Sequence, residues 1–362
     1  MMRVVVTGAT GNVGTSVVRS LSADDAVDEV VGVARHLPEG ESPPKVTWAQ
    51  GDVLDRDGLR RLVRGADAVV HLTWLIQPSR DLSRLWDVNV VGSVNVADAV
   101  AAEGVPVLVH ASSVGAYSPG PEDGRAVDES WPTHGIATSP YSREKAYVER
   151  VLDALEAREP SRRVVRLRPA LLFKAEAASR MRRLFLGSLF PNALARASAV
   201  PVLPDVPGLR FQALHTDDVA EAFRAAVVRD VRGAFNLAAD PVLDLEELAD
   251  LLGARTVRVP VRLARTAVRA TWAARLHPVD VGWFDIALRC PLLDTTRART
   301  ELGWQPRVSA TDAVQEVIAG LRERAGGPTP ALAPDTAEAR PAEFATAQGA
   351  REIDPHPGTP TG

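Results

Sequence analysis

The feature that most constrains this sequence is a glycine turn near its start, "TGATGNVG" at residues 7–14. It follows an apolar, β-branched run at 3–7 and opens a helix-like segment at 12–22. In such a strand–turn–helix unit, one glycine permits the tight turn, another lets the backbone approach a pyrophosphate, and a third lets helix and strand pack closely. The helix then offers free N–H groups and a favourable dipole to the anion. The turn therefore predicts a dinucleotide-binding unit.

Apolar runs and helix-like segments alternate through the first half of the chain. This alternation predicts a parallel sheet covered by helices on both faces. The runs "DAVVHL" and "VPVLVHA" are nearly continuous, as expected for strands buried on both sides. The predicted fold class is therefore α/β, a Rossmann-type doubly wound parallel sheet with a smaller C-terminal substrate domain. The predicted strands lie at 3–7, 29–34, 46–50, 67–72, 105–111 and 164–168, and the helices between them at 12–22, 56–64, 83–103 and 140–157.

The alternation ends near residue 170, which sets the predicted domain organisation. We predict a dinucleotide-binding Rossmann domain at 1–170, with later returns to its sheet near 214–240, and a mainly substrate-binding domain at 171–324. Residues 325–362 are rich in Pro, Gly, Ala and Thr. They cannot bury enough apolar surface to offset the entropy of ordering them, so they are predicted to form a disordered tail.

Composition narrows the class of protein. The chain has 362 residues, is 46% hydrophobic and carries a net charge of −4, so it lacks the basic field of a nucleic-acid-binding protein. Its single cysteine, Cys290, cannot form an internal disulfide, which fits a reducing cytoplasm. Neither a signal peptide nor a run long enough to span a bilayer is visible. We expect a cytoplasmic protein with no membrane span and no metal site.

Two stretches depart locally from the acidic balance. They are "SRMRRLF" at 179–185 and a helix-like segment at 261–276 with several arginines. Such charge runs are most often solvated helix faces. The alternatives are a contact with an anionic group of a substrate or with a lipid surface.

The spacing of the turn, Gly-x-x-Gly-x-x-Gly, resembles the TGxxGxxG of extended short-chain dehydrogenases/reductases, the family that includes NAD-dependent epimerases and dehydratases. Further stretches resemble the same family: "GDVLD" at 51–55, "VVHLTW" at 69–74, "RLRPALLF" at 166–173 and "ELGWQP" at 301–306. Trp74 is a bulky departure where the family has small residues under the cofactor. The resemblance implies that the cofactor contacts Gly8, Thr10, Gly11, Asn12, Val13, Gly14, Asp52, Val53, Leu72, Thr73, Lys145 and Pro169.

The second predicted strand bears on the choice of cofactor. An acidic residue about 20 positions beyond the glycines favours NAD, because it accepts a bond from the ribose 2′-hydroxyl. Here that place is taken by Ala34, followed by Arg35. A cation suits a 2′-phosphate, so we predict NADP, with NAD possible. The alternative is that Arg35 stacks on adenine or faces solvent.

A tyrosine and a lysine lie four residues apart in "PYSREKAYVE", which puts Tyr141 and Lys145 on one face of a helix. A free phenol has a pKa of about 10, so it is a poor base at neutral pH. A nearby ammonium lowers that pKa, so Tyr141 can exchange a proton with an alcohol or carbonyl while hydride moves to or from NAD(P). By resemblance, Ser113 orients the substrate oxygen, Lys145 also holds the nicotinamide ribose, and Asn89 supports the site.

The segment after the Arg-Pro turn bears on the substrate. Nucleotide-sugar epimerases of the family usually have an Asn there, whereas this chain has Leu171 and no Tyr-Gly-Pro. This favours an NAD(P)-dependent oxidoreductase that acts at the C–OH/C=O centre of a smaller or more apolar molecule. The alternatives are a nucleotide-sugar epimerase or dehydratase and, from another class, a non-catalytic NADP-binding redox sensor. The resemblance also implies a possible homodimer through helices near 83–103 and 140–157.

Overall fold

The structure is a computed structural model that describes residues 1–76, 80–185, 201–274 and 279–332. Its strands are β1 (Arg3–Thr7), β2 (Glu29–Ala34), β3 (Val46–Gln50), β4 (Ala68–His71), β5 (Val107–Ala111), β6 (Arg163–Pro169), β7 (Leu171–Phe173), β8 (Val202–Asp205), β9 (Arg210–Phe211), β10 (Ala213–His215), β11 (Gly233–Leu237), β12 (Leu243–Asp244) and β13 (Arg255–Arg258). Its α-helices are α1 (Asn12–Ser22), α2 (Arg56–Val63), α3 (Leu82–Trp86), α4 (Gly92–Ala102), α5 (Pro140–Arg158), α6 (Ala178–Phe185), α7 (Thr216–Val228), α8 (Leu245–Leu252), α9 (Val261–Ala273), α10 (Val281–Arg289), α11 (Thr296–Thr300) and α12 (Ala310–Glu323).

Within the described residues, seven strands form one parallel sheet in the order β3-β2-β1-β4-β5-β6-β11. This confirms the predicted fold class. Successive residues of a strand face opposite sides of a sheet, and β1 follows this rule: Val4 and Val6 join one buried cluster and Val5 joins the other. Helices therefore cover both faces, and the strands end at one common edge.

The later part of the chain returns to this sheet more extensively than predicted. Besides β11, the segment from Ala298 to Leu321 contributes to the same core as β1, including Trp304. Helix α7 lies along α1, where Ser16 Oγ donates to Asp217 Oδ1 over 2.6 Å. Much of the predicted substrate domain thus completes the Rossmann core.

Residues 325–332, which belong to the predicted disordered tail, pack on the glycine turn instead. The hydroxyl of Thr329 donates to the carbonyl of Thr10 over 2.8 Å, and Leu332 is buried. This short segment can be ordered because it packs on existing structure and needs no core of its own. The rest of the predicted tail, 333–362, lies outside the described residues.

What remains of the substrate domain includes short strands that the sequence did not predict. Strand β8 pairs with β13, β9 with β12, and β7 with β10. Helix α10 packs against the start of α5, and α9 packs against α10. In the described ranges, no helix combines the length and apolar character needed to cross a membrane.

Candidate active site

The glycine turn has the close backbone packing expected of a phosphate-binding turn. Gly8 has a φ of +71°, and a Cβ there would lie 2.8 Å from the backbone N of Thr73. A Cβ on Gly14 would lie 2.2 Å from the carbonyl oxygen of Gly8. Side chains at Gly8 and Gly14 would thus collide with backbone, so both glycines are needed to bring β1, α1 and the end of β4 together.

The start of α1 fits an anionic ligand. Gly11 is the N-cap and supplies no side-chain cap, so the N–H groups of Asn12, Val13 and Gly14 have no intrahelical partner, and the first intrahelical bond is from Thr15 N to the carbonyl of Gly11. The buried Oδ1 of Asn12 has no hydrogen-bond partner among the described residues and, as an acceptor, suits a hydroxyl of a ligand rather than a phosphate oxygen. The residues present therefore fit the pyrophosphate of a dinucleotide.

The other predicted cofactor residues lie at the same edge of the sheet. Arg35 follows β2 and Asp52 follows β3, where the Asp52 side chain accepts from Leu54 N over 2.9 Å. Val53 is buried against Gly92 at the start of α4. Leu72 and Thr73 follow β4, and Pro169 ends β6. The carboxyl ends of these strands form the crevice in which doubly wound folds bind their ligands.

Tyr141 lies in the first turn of α5, which begins with Pro140 and is capped by Ser139. The side chain of Ser113, which follows β5, lies close enough to the Tyr141 phenol to lower its pKa. The phenol ring packs on the backbone of Gly115, where a Cβ would lie 2.7 Å from Tyr141 Cε1. Burial raises the pKa of Tyr141 to about 12, against the opposing effect of Ser113.

Two tryptophans flank the Tyr141 ring. Trp283, on α10, lies 4.9 Å away between ring centroids at an angle of 30°, and Trp74 contacts the ring edge-on at 6.1 Å. Sequence analysis missed Trp283, although "DVGWFDIALR" has a capping Asp280 followed by apolar residues at helical spacing. Because α10 is far from α5 in sequence, its contact with Tyr141 could not be read from local pattern.

Lys145 is arranged differently from the prediction. It is almost completely buried, and its Nζ donates to the carbonyl of Ala111 over 2.7 Å. The ammonium lies 3.3 Å from the centroid of the Trp74 ring. Burial lowers the pKa of Lys145 well below its usual value, opposed by Glu149 and Glu144. The ammonium is thus held by a carbonyl and an indole face, and the net direction of the Tyr141 pKa is upward rather than downward.

Asn89 connects the segment after β4 to helix α5. It lies in a π-helical turn, Asp87–Val91, between α3 and α4. Its Nδ2 donates to the carbonyl of Leu75 over 3.1 Å and to Glu144 over 2.8 Å, while its Oδ1 accepts from Leu75 N. Asn89 thereby ties the loop that carries Trp74 to α5, and its polar atoms are occupied by these contacts.

A buried ion network holds the other side of α5. Glu149 accepts two bonds of 2.9 Å from Arg168, and Ser112 donates to Glu149 over 2.6 Å. The two adjacent serines therefore have different surroundings: Ser112 donates to Glu149, whereas Ser113 Oγ accepts from Gly115 N and lies beside Tyr141. Among the described residues, no group of three or more His, Cys, Asp or Glu side chains is placed to hold a metal ion.

Sequence relatives match most of the chain. The UDP-glucose 4-epimerase of Mycolicibacterium smegmatis is 27% identical over 89% of this chain and 99% of its own length. That of Neisseria meningitidis serogroup C is 26% identical over 87% and 96%. An uncharacterized protein of Mycobacterium tuberculosis is 27% identical over 90% of this chain, which spans only 31% of that relative's length.

Solved structures share the fold. A UDP-glucose 4-epimerase from Thermotoga maritima, solved with UDP-glucose, has a TM-score of 0.67 at 21% identity. The match covers 89% of this chain and 99% of that structure. A dTDP-glucose 4,6-dehydratase from Streptomyces venezuelae, with NAD, has a TM-score of 0.65 at 24% identity, with 97% and 89% covered. The model of the NAD dependent epimerase/dehydratase family matches residues 4–238. The chain therefore belongs to the NAD-dependent epimerase/dehydratase family.

Proposed function

We propose that this protein is an NAD(P)-dependent enzyme that oxidises, at least transiently, a hydroxyl-bearing carbon of a nucleotide-linked sugar, as an epimerase or dehydratase. The observation that carries the enzymatic part is the juxtaposition of the Ser113 and Tyr141 side chains, both against Gly115, at the sheet edge that holds the glycine turn. A redox sensor has no need of a phenol placed in this way.

The side chains divide the chemistry between them. Tyr141 takes the proton from the substrate hydroxyl as hydride leaves the same carbon, and returns a proton in the reverse direction. Ser113 orients the substrate oxygen toward the phenol. A bound NAD(P) supplies the hydride acceptor. Because burial raises the pKa of Tyr141 and lowers that of Lys145, the phenol acts as a base only when a positive charge is held nearby, which requires Lys145 to be protonated.

The substrate class rests on the relatives rather than on a residue motif. UDP-glucose 4-epimerases match this chain along nearly their full length. Sequence analysis favoured a smaller or more apolar substrate, and the comparisons support the nucleotide-sugar alternative better. Two observations keep a net reductase or dehydrogenase as a second candidate: Leu171 stands where an Asn is usual, and Trp74 and Trp283 make the surroundings of Tyr141 apolar.

The experiment is a screen with UDP- and dTDP-sugars and NAD⁺ or NADP⁺, followed by product analysis and by absorbance of the reduced cofactor. Epimerisation or dehydration changes the sugar with no net reduced cofactor, whereas a dehydrogenase accumulates it. Tyr141→Phe should lose roughly 10²- to 10⁴-fold in rate and keep cofactor binding. Tyr147→Phe, on the exposed side of the same helix, is the matched control. Unchanged turnover in Tyr141→Phe would contradict the proposed role.

Two further features of the protein, its cofactor preference and its oligomeric state, are also proposed. We infer that NADP is preferred, because Arg35 follows β2 where an acidic residue would favour NAD; NAD is the cofactor named with several structural relatives. We also infer a homodimer through α3, α4 and α5, which expose a cluster of large apolar side chains. The cluster consists of Leu82, Trp86, Val91 and Tyr147.

A further inference from the structure

The substrate domain contains two stretches without acidic residues in a chain that is acidic overall. Residues 251–279 hold six arginines and residues 177–204 hold four, and neither stretch has an Asp or Glu, although the chain has 46 such residues and a net charge of −4. Strand β8, which begins in the 177–204 stretch, pairs in parallel with β13, which lies in the 251–279 stretch. The fold therefore brings the last residues of the 177–204 stretch beside residues 255–257 of the other.

Helix α9, which lies in the 251–279 stretch, is on the surface of the protein. None of its residues is buried. Its inner side is attached to neighbouring elements: Arg265 makes an ion pair of 2.9 Å with Asp285 of α10, and the Arg80 guanidinium lies over the Trp272 ring at 4.2 Å. The helix is thus anchored along one side, and its other side faces outward.

The outward side mixes unpaired arginines with exposed apolar side chains. Arg262 and Arg269 are exposed, are one heptad apart on the helix, and make no ion pair with another described residue. Leu263, about 100° around the helix from Arg262, is 62% exposed, and Val257 in β13 is 53% exposed. We call these four residues, Val257, Arg262, Leu263 and Arg269, the arginine face.

The composition of the arginine face distinguishes between anionic partners. Arginines alone would suit phosphates of any origin. The face also carries large exposed apolar side chains. A nucleic-acid backbone offers no apolar contact for them, whereas the boundary between lipid headgroups and acyl chains does. The absence of acidic residues from 251–279 removes the repulsion that an anionic surface would otherwise meet.

We propose that the arginine face docks this protein on an anionic lipid surface, with α9 lying in the plane of the headgroups. The proposal is independent of the catalytic function. Arg265 joins α9 to Asp285 of α10, and Trp283 of α10 packs on Tyr141. Docking would therefore place α10, which contacts Tyr141, close to the lipid headgroups.

The experiment is co-sedimentation of the full chain with vesicles of phosphatidylcholine, alone or mixed with phosphatidylglycerol, at low and near-physiological ionic strength. The wild type should bind only the mixed vesicles, more weakly as salt rises. The double variant Arg262→Gln/Arg269→Gln should lose roughly tenfold or more in affinity. Leu263→Ser should weaken binding at both ionic strengths. A charge-matched control removes two arginines beside α2, Arg60→Gln/Arg64→Gln.

Three results would overturn the proposal. One is that the wild type does not sediment with the mixed vesicles at low ionic strength. Another is that the α2 control loses as much affinity as the α9 variant, which would mean that overall charge and not this face is responsible. The third is that the arginines matter but Leu263→Ser changes nothing, or that duplex DNA competes fully, which would indicate a general polyanion surface. Circular dichroism of each variant verifies that it is folded.

Discussion

The ammonium of Lys145 lies 3.3 Å from the centroid of the Trp74 ring, and its Nζ also donates to the carbonyl of Ala111. Lys145 is almost fully buried, so a desolvated cation–π contact contributes substantially to keeping it charged, on the order of 2 kcal/mol. The same ammonium is the group expected to hold the nicotinamide ribose. If Lys145 holds the ribose, Trp74 and the cofactor would therefore compete for one charge.

We predict that Trp74→Ala strengthens binding of the nicotinamide half of the cofactor. Removing the indole frees the face of Lys145 that a ribose hydroxyl would use, so NAD(P)⁺ should gain up to about tenfold in affinity. ADP, which has no nicotinamide ribose, should bind the variant and the wild type equally. Isothermal titration calorimetry with both ligands measures the difference.

Trp283→Ala is the matched control for this change. It removes the other tryptophan beside Tyr141 and leaves the contact between Trp74 and Lys145 in place. If Trp74→Ala binds NAD(P)⁺ more weakly while ADP is unaffected, the indole supports the cofactor rather than competing with it, and the prediction is wrong. Failure of the wild type to bind either ligand would instead contradict the proposed cofactor dependence.

The second prediction concerns cofactor choice. Arg35→Asp should weaken NADPH by roughly tenfold to a hundredfold, because a hydrogen bond to a charged group contributes about 1.5–3 kcal/mol. NADH affinity should change little or rise, since an acidic residue at this place can accept from a 2′-hydroxyl. Affinities come from quenching of protein fluorescence by each cofactor. Equal affinity of the wild type for NADPH and NADH would refute the inference from Arg35.

The third prediction follows from a buried histidine. His71 lies between Thr7 Oγ1 at 2.7 Å and Ser93 Oγ at 3.0 Å, and burial lowers its pKa from 6.5 to about 3. As pH falls, a basic group whose pKa is lowered in the folded protein stays neutral there at pH values at which it is already protonated in the unfolded chain. The stability it contributes is therefore complete above pH 6.5 and is lost as pH falls toward 3, by about 2 kcal/mol at pH 5.

Urea unfolding at pH 7 and pH 5 measures this contribution. The wild type should lose more unfolding free energy between the two values than His71→Gln, which cannot titrate. The exposed His36→Gln is the control and should behave as the wild type does. Equal losses in the wild type and His71→Gln would mean that the folded site accommodates the charged imidazole.

The fourth prediction tests the proposed homodimer. The rings of Trp86 and Tyr147 meet edge-on with centroids 5.0 Å apart, and they are 40% and 48% exposed. Tyr147→Glu would place a charge at the centre of the contact and should weaken dimerisation by roughly thirtyfold or more. Light scattering after size exclusion reports the mass. Tyr147→Phe, which keeps the ring, should remain dimeric, and a monomeric wild type would exclude this interface.

Much of the first half of the fold could be predicted from the sequence alone. The bounds of β1, β2 and β3 agree with the prediction, because alternating β-branched runs and helical periodicity are local signals. The interval of four residues likewise determined that Tyr141 and Lys145 share a face of α5. These features depend on backbone geometry within one element, which neighbouring residues specify.

Tertiary structure alone decided what those residues touch. Only the packing of β5 against α5 determined that Ser113 meets Tyr141 while Ser112 meets Glu149. Only the docking of α10 brought Trp283 to the phenol. The upward direction of the Tyr141 pKa has the same origin, since desolvation sums contributions from segments distant in sequence. Local pattern specifies which side chains share a face, but partners and solvent exclusion arise only when separate elements pack together.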